Sequence, residues 1–189
     1  MYHKRFDPGK ADVLVSKERQ TLLPVEKIMH YLALDEKDVV ADLGAGNGYF
    51  TIPIAKRMIY PVYAVDIEPK MLSMLKQTAE KESIENIHYI QSDLENIALE
   101  DKAVDKVMAA FVIHEVPDMI KALSEARRIL KSGGTFLLIE WEEVPTEIGP
   151  PLEDKISSQE MVKLLEKNGF RSEVIHLNNI HYAVVAKPY

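Results

Sequence analysis

A short apolar strand, Asp38 to Leu43, carries an acid at Asp42 and runs directly into three glycines at alternating positions, Gly44, Gly46 and Gly48. Without a Cβ, these residues let the backbone turn sharply and let a ligand approach it closely. A loop built for phosphate presents N–H groups at a helix N-terminus and keeps carboxylates away. Here Asp42 brings a carboxylate to the same spot, so the loop suits a ligand that carries positive charge. The dinucleotide pattern Gly-x-Gly-x-x-Gly is not met either, because Tyr49 stands where its last glycine belongs.

The rest of the chain alternates helix and strand. Pro24 opens a helix with Val25, Ile28, Met29 and Leu32 at helical spacing, ending near Ala33. After the Asp38–Leu43 strand, the pattern predicts a helix over Asn47–Met58, a strand over Val62–Asp66, a helix over Pro69–Glu82 and a strand over Ile87–Gln91. A strand over Val104–Ala110, a helix over Asp118–Leu130, a turn at Gly133 and Gly134 and a strand over Thr135–Glu140 follow. Ser157 and Glu160 form a capping box for a helix closed by Gly169. Such alternation implies a parallel sheet covered on both faces. The last two strands, Ser172–Leu177 and His181–Lys187, are separated by only three residues, too few for a parallel crossover, so they form an antiparallel hairpin.

Asp42, the Gly-x-Gly-x-Gly spacing and a parallel sheet closing in an antiparallel hairpin together resemble the class I S-adenosylmethionine (SAM)-dependent methyltransferases. Within that class the chain is most similar to the group that includes the ubiquinone and menaquinone C-methyltransferases and many small-molecule methyltransferases. The resemblance runs from Val39 to the C-terminus. It implies an α/β, three-layer Rossmann-like fold with a seven-stranded, mostly parallel sheet. It also implies SAM as cofactor and a small-molecule methyl acceptor; SAM, with its sulfonium and ammonium groups, is a cation of the kind the loop suits.

In an open α/β sheet the ligand sits at the carboxyl ends of the strands, which makes the strand ends a list of candidates. Around the cofactor these are Asp42, Gly44, Ala45, Gly46 and Gly48. Asp66, at the end of the second strand, is placed to bind both ribose hydroxyls, with Ile67 beside the adenine; the alternative is an acid that favours the following helix. Met71 either touches the adenine or belongs to the core. Ser92, Asp93 and Leu94 end the third strand, and the resemblance implies that Asp93 accepts from the adenine amino group; otherwise it is a turn residue. Ala110 and Phe111 end the fourth strand, where small side chains let backbone carbonyls meet the ammonium group. An Asn- or Asp-Pro-Pro-aromatic sequence would mark methylation of exocyclic amines, and this chain has Ala-Ala-Phe-Val there.

On the acceptor side stand His114, Glu140 and Trp141. His114 is a candidate base, with Glu115 to orient it, or a packed histidine. Glu140 is a candidate proton acceptor or cation binder. Trp141, the sole tryptophan, is an aromatic wall or a cap over the core.

A length of 189 residues suits one domain, 1–189, with residues 1–23 as an N-terminal arm or lid. The arm holds Tyr2, His3, Arg5, Phe6 and Arg19 without a firm periodic pattern; Arg19 is a candidate partner for the SAM carboxylate. A net charge of −7 disfavours nucleic acid as substrate. The absence of cysteine excludes disulfides, thiolate metal sites and cysteine nucleophiles, and no metal is expected. No apolar run approaches the ~18 residues of a membrane span and the N-terminus lacks a secretion signal, so a soluble, cytoplasmic protein is expected. Two rival readings remain open at this point: a noncatalytic SAM-binding or interaction protein, and a nicotinamide oxidoreductase.

Overall fold

The structure, a computed structural model, describes residues 6–189, so Tyr2, His3 and Arg5 lie outside the described residues. Strands β1 (Val40–Leu43), β2 (Val62–Asp66), β3 (Ile87–Gln91), β4 (Val104–Ala110), β5 (Leu130–Trp141), β6 (Phe170–His176) and β7 (His181–Pro188) form one sheet in the order β3-β2-β1-β4-β5-β7-β6. The first five are parallel, whereas β7 runs antiparallel between β5 and β6, as the short final connection requires. The chain leaves β1 to one side for β2 and later crosses to the other side for β4. The crevice at the carboxyl ends of β1 and β4 is therefore the point where strand order reverses.

Residues of β1 alternate between two apolar layers, as a two-residue period demands. Ala41 and Leu43 face α5 (Met119–Ile129) and α6 (Ser158–Lys167), in a core with Phe136, Phe170 and Tyr182. Val40 faces the other layer, built from α2 (Val25–Leu32), α3 (Thr51–Ala55) and α4 (Pro69–Lys81) around Ile28, Leu32, Ile54, Leu75 and Met108. Ser157 accepts from the Glu160 N–H and caps α6, as its sequence predicts.

Three elements depart from expectation. The arm is helical: a 3-10 stretch, Pro8–Val15, kinked at Lys10, is followed by α1 (Lys17–Leu22). Its signal lies in caps rather than periodicity, since Asp7 accepts from the Gly9 N–H and Ser16 from the Arg19 N–H. The helix expected from Asn47 shrinks to α3 because Gly48, at φ +96°, holds the chain out of helical geometry. Strand β5 begins at Leu130, which pairs with Val104. The Gly133–Gly134 turn is an irregularity inside it, after which Thr135 pairs with Lys106.

Candidate functional site

Carbonyl Val65 O at the end of β2 accepts from both the Gly44 and Ala45 N–H groups, at 2.8 and 3.0 Å, and so folds the glycine loop over the top of the sheet. A Cβ on Gly44 would lie 2.6 Å from Val112 Cγ2, and one on Gly48 2.2 Å from Leu75 Cδ1. Both glycines are thus fixed by the protein's own packing. Gly46 is different: its Cβ would meet only Leu14 of the arm, at 3.6 Å, leaving this stretch of backbone open to whatever lies under the arm.

Asp66 closes the loop from β2. Its Oδ2 accepts the Gly46 N–H and its Oδ1 the Glu68 N–H, both at 2.8 Å. Burial raises its pKa, opposed by those backbone donors. Ile67, exposed, follows it, and the Ser92 N–H reaches back to Asp66 O at 3.1 Å, joining the ends of β2 and β3.

Other candidates are held by the protein's own contacts. Asp42 does not lie open to the loop. It is 2 % exposed and accepts from Thr51 Oγ1 at 2.6 Å, and burial raises its pKa to about 7. Met71 packs in the core at 4 % exposure, and Leu94 is likewise buried. Asp93 forms a turn, its Oδ1 accepting the Glu95 N–H at 3.0 Å.

At the end of β4, Phe111 adopts φ +59°, rare for a bulky residue. This reverses the chain, and the Phe111 N–H donates to Ile139 O at 2.8 Å. The 3-10 turn Ile113–Glu115 follows and carries His114. Here the sequence expectation is corrected, because the residue that orients His114 is Glu140 rather than Glu115. Glu140, 1 % exposed, places Oε2 2.8 Å from His114 Nδ1, and its Oε1 accepts the backbone N–H of Ile113 and of His114 at 3.0 and 3.2 Å. Both Glu140 oxygens are thus engaged by the turn that carries His114. Burial pulls the His114 pKa down, but the Glu140 charge and hydrogen bond more than offset this and the net shift is upward. Glu115 Oε1 stands 4.0 Å from His114 Nε2, its own pKa raised to about 7 by burial.

Trp141 belongs to an aromatic group that sequence reasoning assembled only in part. Its ring centroid lies 5.5 Å from Phe111 and 4.2 Å from His181. His181 opens β7 and pairs with Trp141 in the sheet register, so the antiparallel strand delivers its first residue to the same edge where the parallel strands end. That rule of topology was the signal available in the sequence. Lys155 Nζ sits 5.5 Å from the Trp141 ring, and Arg19 Cζ 5.1 and 5.0 Å from the Tyr49 and Phe111 rings.

The arm lies across this edge. Asn47 Nδ2 donates to Ala11 O at 2.9 Å, and the Phe6 N–H donates to Glu115 Oε2 at 3.1 Å. Beneath it the residues fit SAM: Gly46 offers uncluttered backbone, Asp66 a carboxylate fixed at the loop, and Asn47 Oδ1 is buried without a hydrogen-bond partner among the described residues.

A methyltransferase domain family matches residues 41–138, more than half of the chain. The ubiquinone/menaquinone biosynthesis C-methyltransferase UbiE of Brucella abortus is 34% identical over 127 residues, 67% of this chain and 46% of its own length. The protein of the same name from Bartonella henselae is 37% identical over 130 residues, 68% of this chain and 46% of its own. The chain thus spans about half the length of the curated relatives it matches. A crystal structure of a SAM-dependent methyltransferase from Aquifex aeolicus superposes with a TM-score of 0.90 at 29% identity, covering 96% of this chain and 98% of that one. From the matched domain, the strand order and the glycine loop under Asp66, this chain belongs to the methyltransferase domain family, among the class I SAM-dependent methyltransferases.

Proposed function

We propose that the chain transfers the methyl group of SAM to a small-molecule acceptor, with His114 taking the acceptor's proton. The observation that carries this reading is the His114–Glu140 contact at the ends of β4 and β5, beside the glycine loop. Bound at that loop, SAM supplies a methyl group on a sulfonium, a leaving group that needs no acid. The chain's own residues then orient and exclude water. Asp66 takes the ribose hydroxyls, Ile67 lies along the adenine, and Asp93 and the Ala110–Phe111 backbone hold the two ends of the cofactor. His114 donates from Nδ1 to Glu140, which leaves the Nε2 lone pair to accept a proton. Acceptors with an ionisable O–H, N–H or activated C–H therefore qualify.

A second reading, a quinol-type acceptor, takes its support from the Phe111 and Trp141 rings and from the names of the ubiquinone/menaquinone relatives. Calorimetry with SAM, S-adenosylhomocysteine (SAH) and NAD tests the cofactor assignment. SAM is expected to bind with about 8 kcal/mol, the micromolar range; NAD binding with SAM silent would overturn it. Transfer of labelled methyl to hydroquinone and other acceptors, with His114→Asn as control, tests the base. The variant should bind SAM normally and transfer at least about a hundredfold more slowly.

A further inference from the structure

Asn178 fixes which nitrogen of His181 carries the proton. Its Oδ1 accepts the backbone N–H groups of Ile180 and His181, both at 3.0 Å, so its amide nitrogen must be the atom that faces Leu22 O at 3.0 Å and His181 Nδ1 at 3.2 Å. His181 Nδ1 is therefore an acceptor. Burial, with Arg19 and Lys155 nearby, lowers the His181 pKa to about 4, so the ring is neutral at pH 7 and its one proton sits on Nε2. That Nε2–H is buried, in a residue 2 % exposed, and has no hydrogen-bond partner among the described residues.

Arg19 Nε is in the same condition: a buried donor without a partner among the described residues. Both side chains lie against one ring, the Arg19 guanidinium 5.0 Å and the His181 imidazole 5.1 Å from the Phe111 centroid. Leaving a buried N–H unpaired is costly, so two such donors against one aromatic ring mark a place where ligand oxygens are meant to sit. The surrounding charge agrees. Arg19 and Lys155 are cations, Lys155 held to Val144 O at 2.8 Å and over Trp141, and the Glu140 carboxylate is already spent on His114 and Ile113. The walls are flat rings, Phe111 and Trp141, roofed by the arm on one side and by Gly149 and Lys155 on the other.

We propose that Arg19 and His181 hold the two oxygens of a carboxylate on a planar aromatic methyl acceptor, whose ring packs beside the touching Phe111 and Trp141 rings. This assignment rests on the methyl-transfer reading above and narrows its acceptor to an aromatic acid. An acid so held is anchored at the β5–β7 edge, with its ring reaching toward His114, and the ionisable group that receives the methyl is on that ring.

Trp141, the only tryptophan, reports the site directly. Its fluorescence is titrated at pH 7.5 with benzoate, cyclohexanecarboxylate, benzamide and hydroquinone, on protein saturated with SAH and on protein without it. Benzoate should bind at least tenfold more tightly than the other three. His181→Phe and Arg19→Gln should each weaken benzoate at least tenfold while leaving SAH affinity, by calorimetry, within twofold. Both variants are checked for an unchanged melting transition, and the two substitutions stand in different elements, so one misfolded variant leaves the other decisive. Benzamide or hydroquinone binding as well as benzoate would overturn the proposal in favour of a neutral, quinol-like acceptor. Loss of SAH affinity in Arg19→Gln with benzoate unaffected would also overturn it and give Arg19 to the cofactor's carboxylate. Failure of the parent to bind SAH would sink the cofactor reading instead, and the titration without SAH would still test the carboxylate site.

Discussion

Glu140 Oε2 stands 2.8 Å from His114 Nδ1, and Glu140 Oε1 is held by the backbone N–H groups of the very turn that carries His114. One buried carboxylate thus fixes the position, the tautomer and the basicity of one histidine. Neighbouring β4 and β5 bring together residues 26 positions apart.

Glu140→Gln removes the charge while keeping an acceptor. The His114 pKa, followed by NMR of its ring protons, should fall. Because the parent's folded pKa is raised, its contribution to stability is full below the unfolded value near 6.5 and is lost as pH rises through the folded value. The stability gap between parent and variant should therefore be larger at pH 6 than at pH 9. An unchanged titration would remove Glu140 from this role.

Asp66→Ala should weaken SAM binding by about 1.5–3 kcal/mol, since it releases the Gly46 N–H and, in the proposed binding mode, removes a charged acceptor from the ribose. The residue ends β2, outside the two apolar cores, so the fold should survive, as circular dichroism and calorimetry on one sample would show. Parent-like SAM affinity would leave Asp66 as a loop clamp only.

SAM binding should release protons. Asp42, raised to about 7 by burial, and Asp66, also raised, both lie beside the glycine loop, and a cation favours their ionised forms. Titrations at pH 6.5 in buffers of different ionisation enthalpy should give a net proton release that is smaller for SAH, which lacks the sulfonium charge. Equal release for the two ligands would separate these carboxylates from the sulfonium.

Alanine at Gly48 meets Leu75 at 2.2 Å as well as adopting φ +96°, whereas alanine at Gly46 meets only Leu14 at 3.6 Å. Gly48→Ala should thus unfold at clearly lower denaturant than Gly46→Ala, whose stability loss should be limited to the roughly 1–2 kcal/mol of a left-handed residue. The ranking would be read from two urea curves.

Removing residues 1–15 takes away Ala11 and Leu14 over the glycine loop and the Phe6 contact to Glu115, but keeps Ser16 to cap α1 and Arg19. SAM affinity should drop about tenfold, roughly 1.4 kcal/mol, mainly through faster dissociation measured by stopped flow. A truncated chain with parent-like dissociation would make the arm a packing element.

The strand positions, the parallel sheet and the final hairpin were legible because they follow from local rules: alternating strand and helix patterns, a loop too short to cross over, an acid and glycines at a strand end. Asp66 and the glycine loop could be named as candidates by the same rules, since strand ends near a reversal of strand order are where such a sheet takes its ligand. What sequence could not decide was where each side chain turns once neighbours are present. Asp42 faces Thr51, Met71 faces the core, and Glu140 rather than the adjacent Glu115 holds His114. The helical arm was hidden because its order comes from caps and from packing on Asn47, and the Arg19–Phe111–Trp141–His181 group because its members come from four distant segments. Burial and hydrogen bonding between segments far apart in the chain carry no local pattern, and only the closed tertiary structure brings their partners within reach.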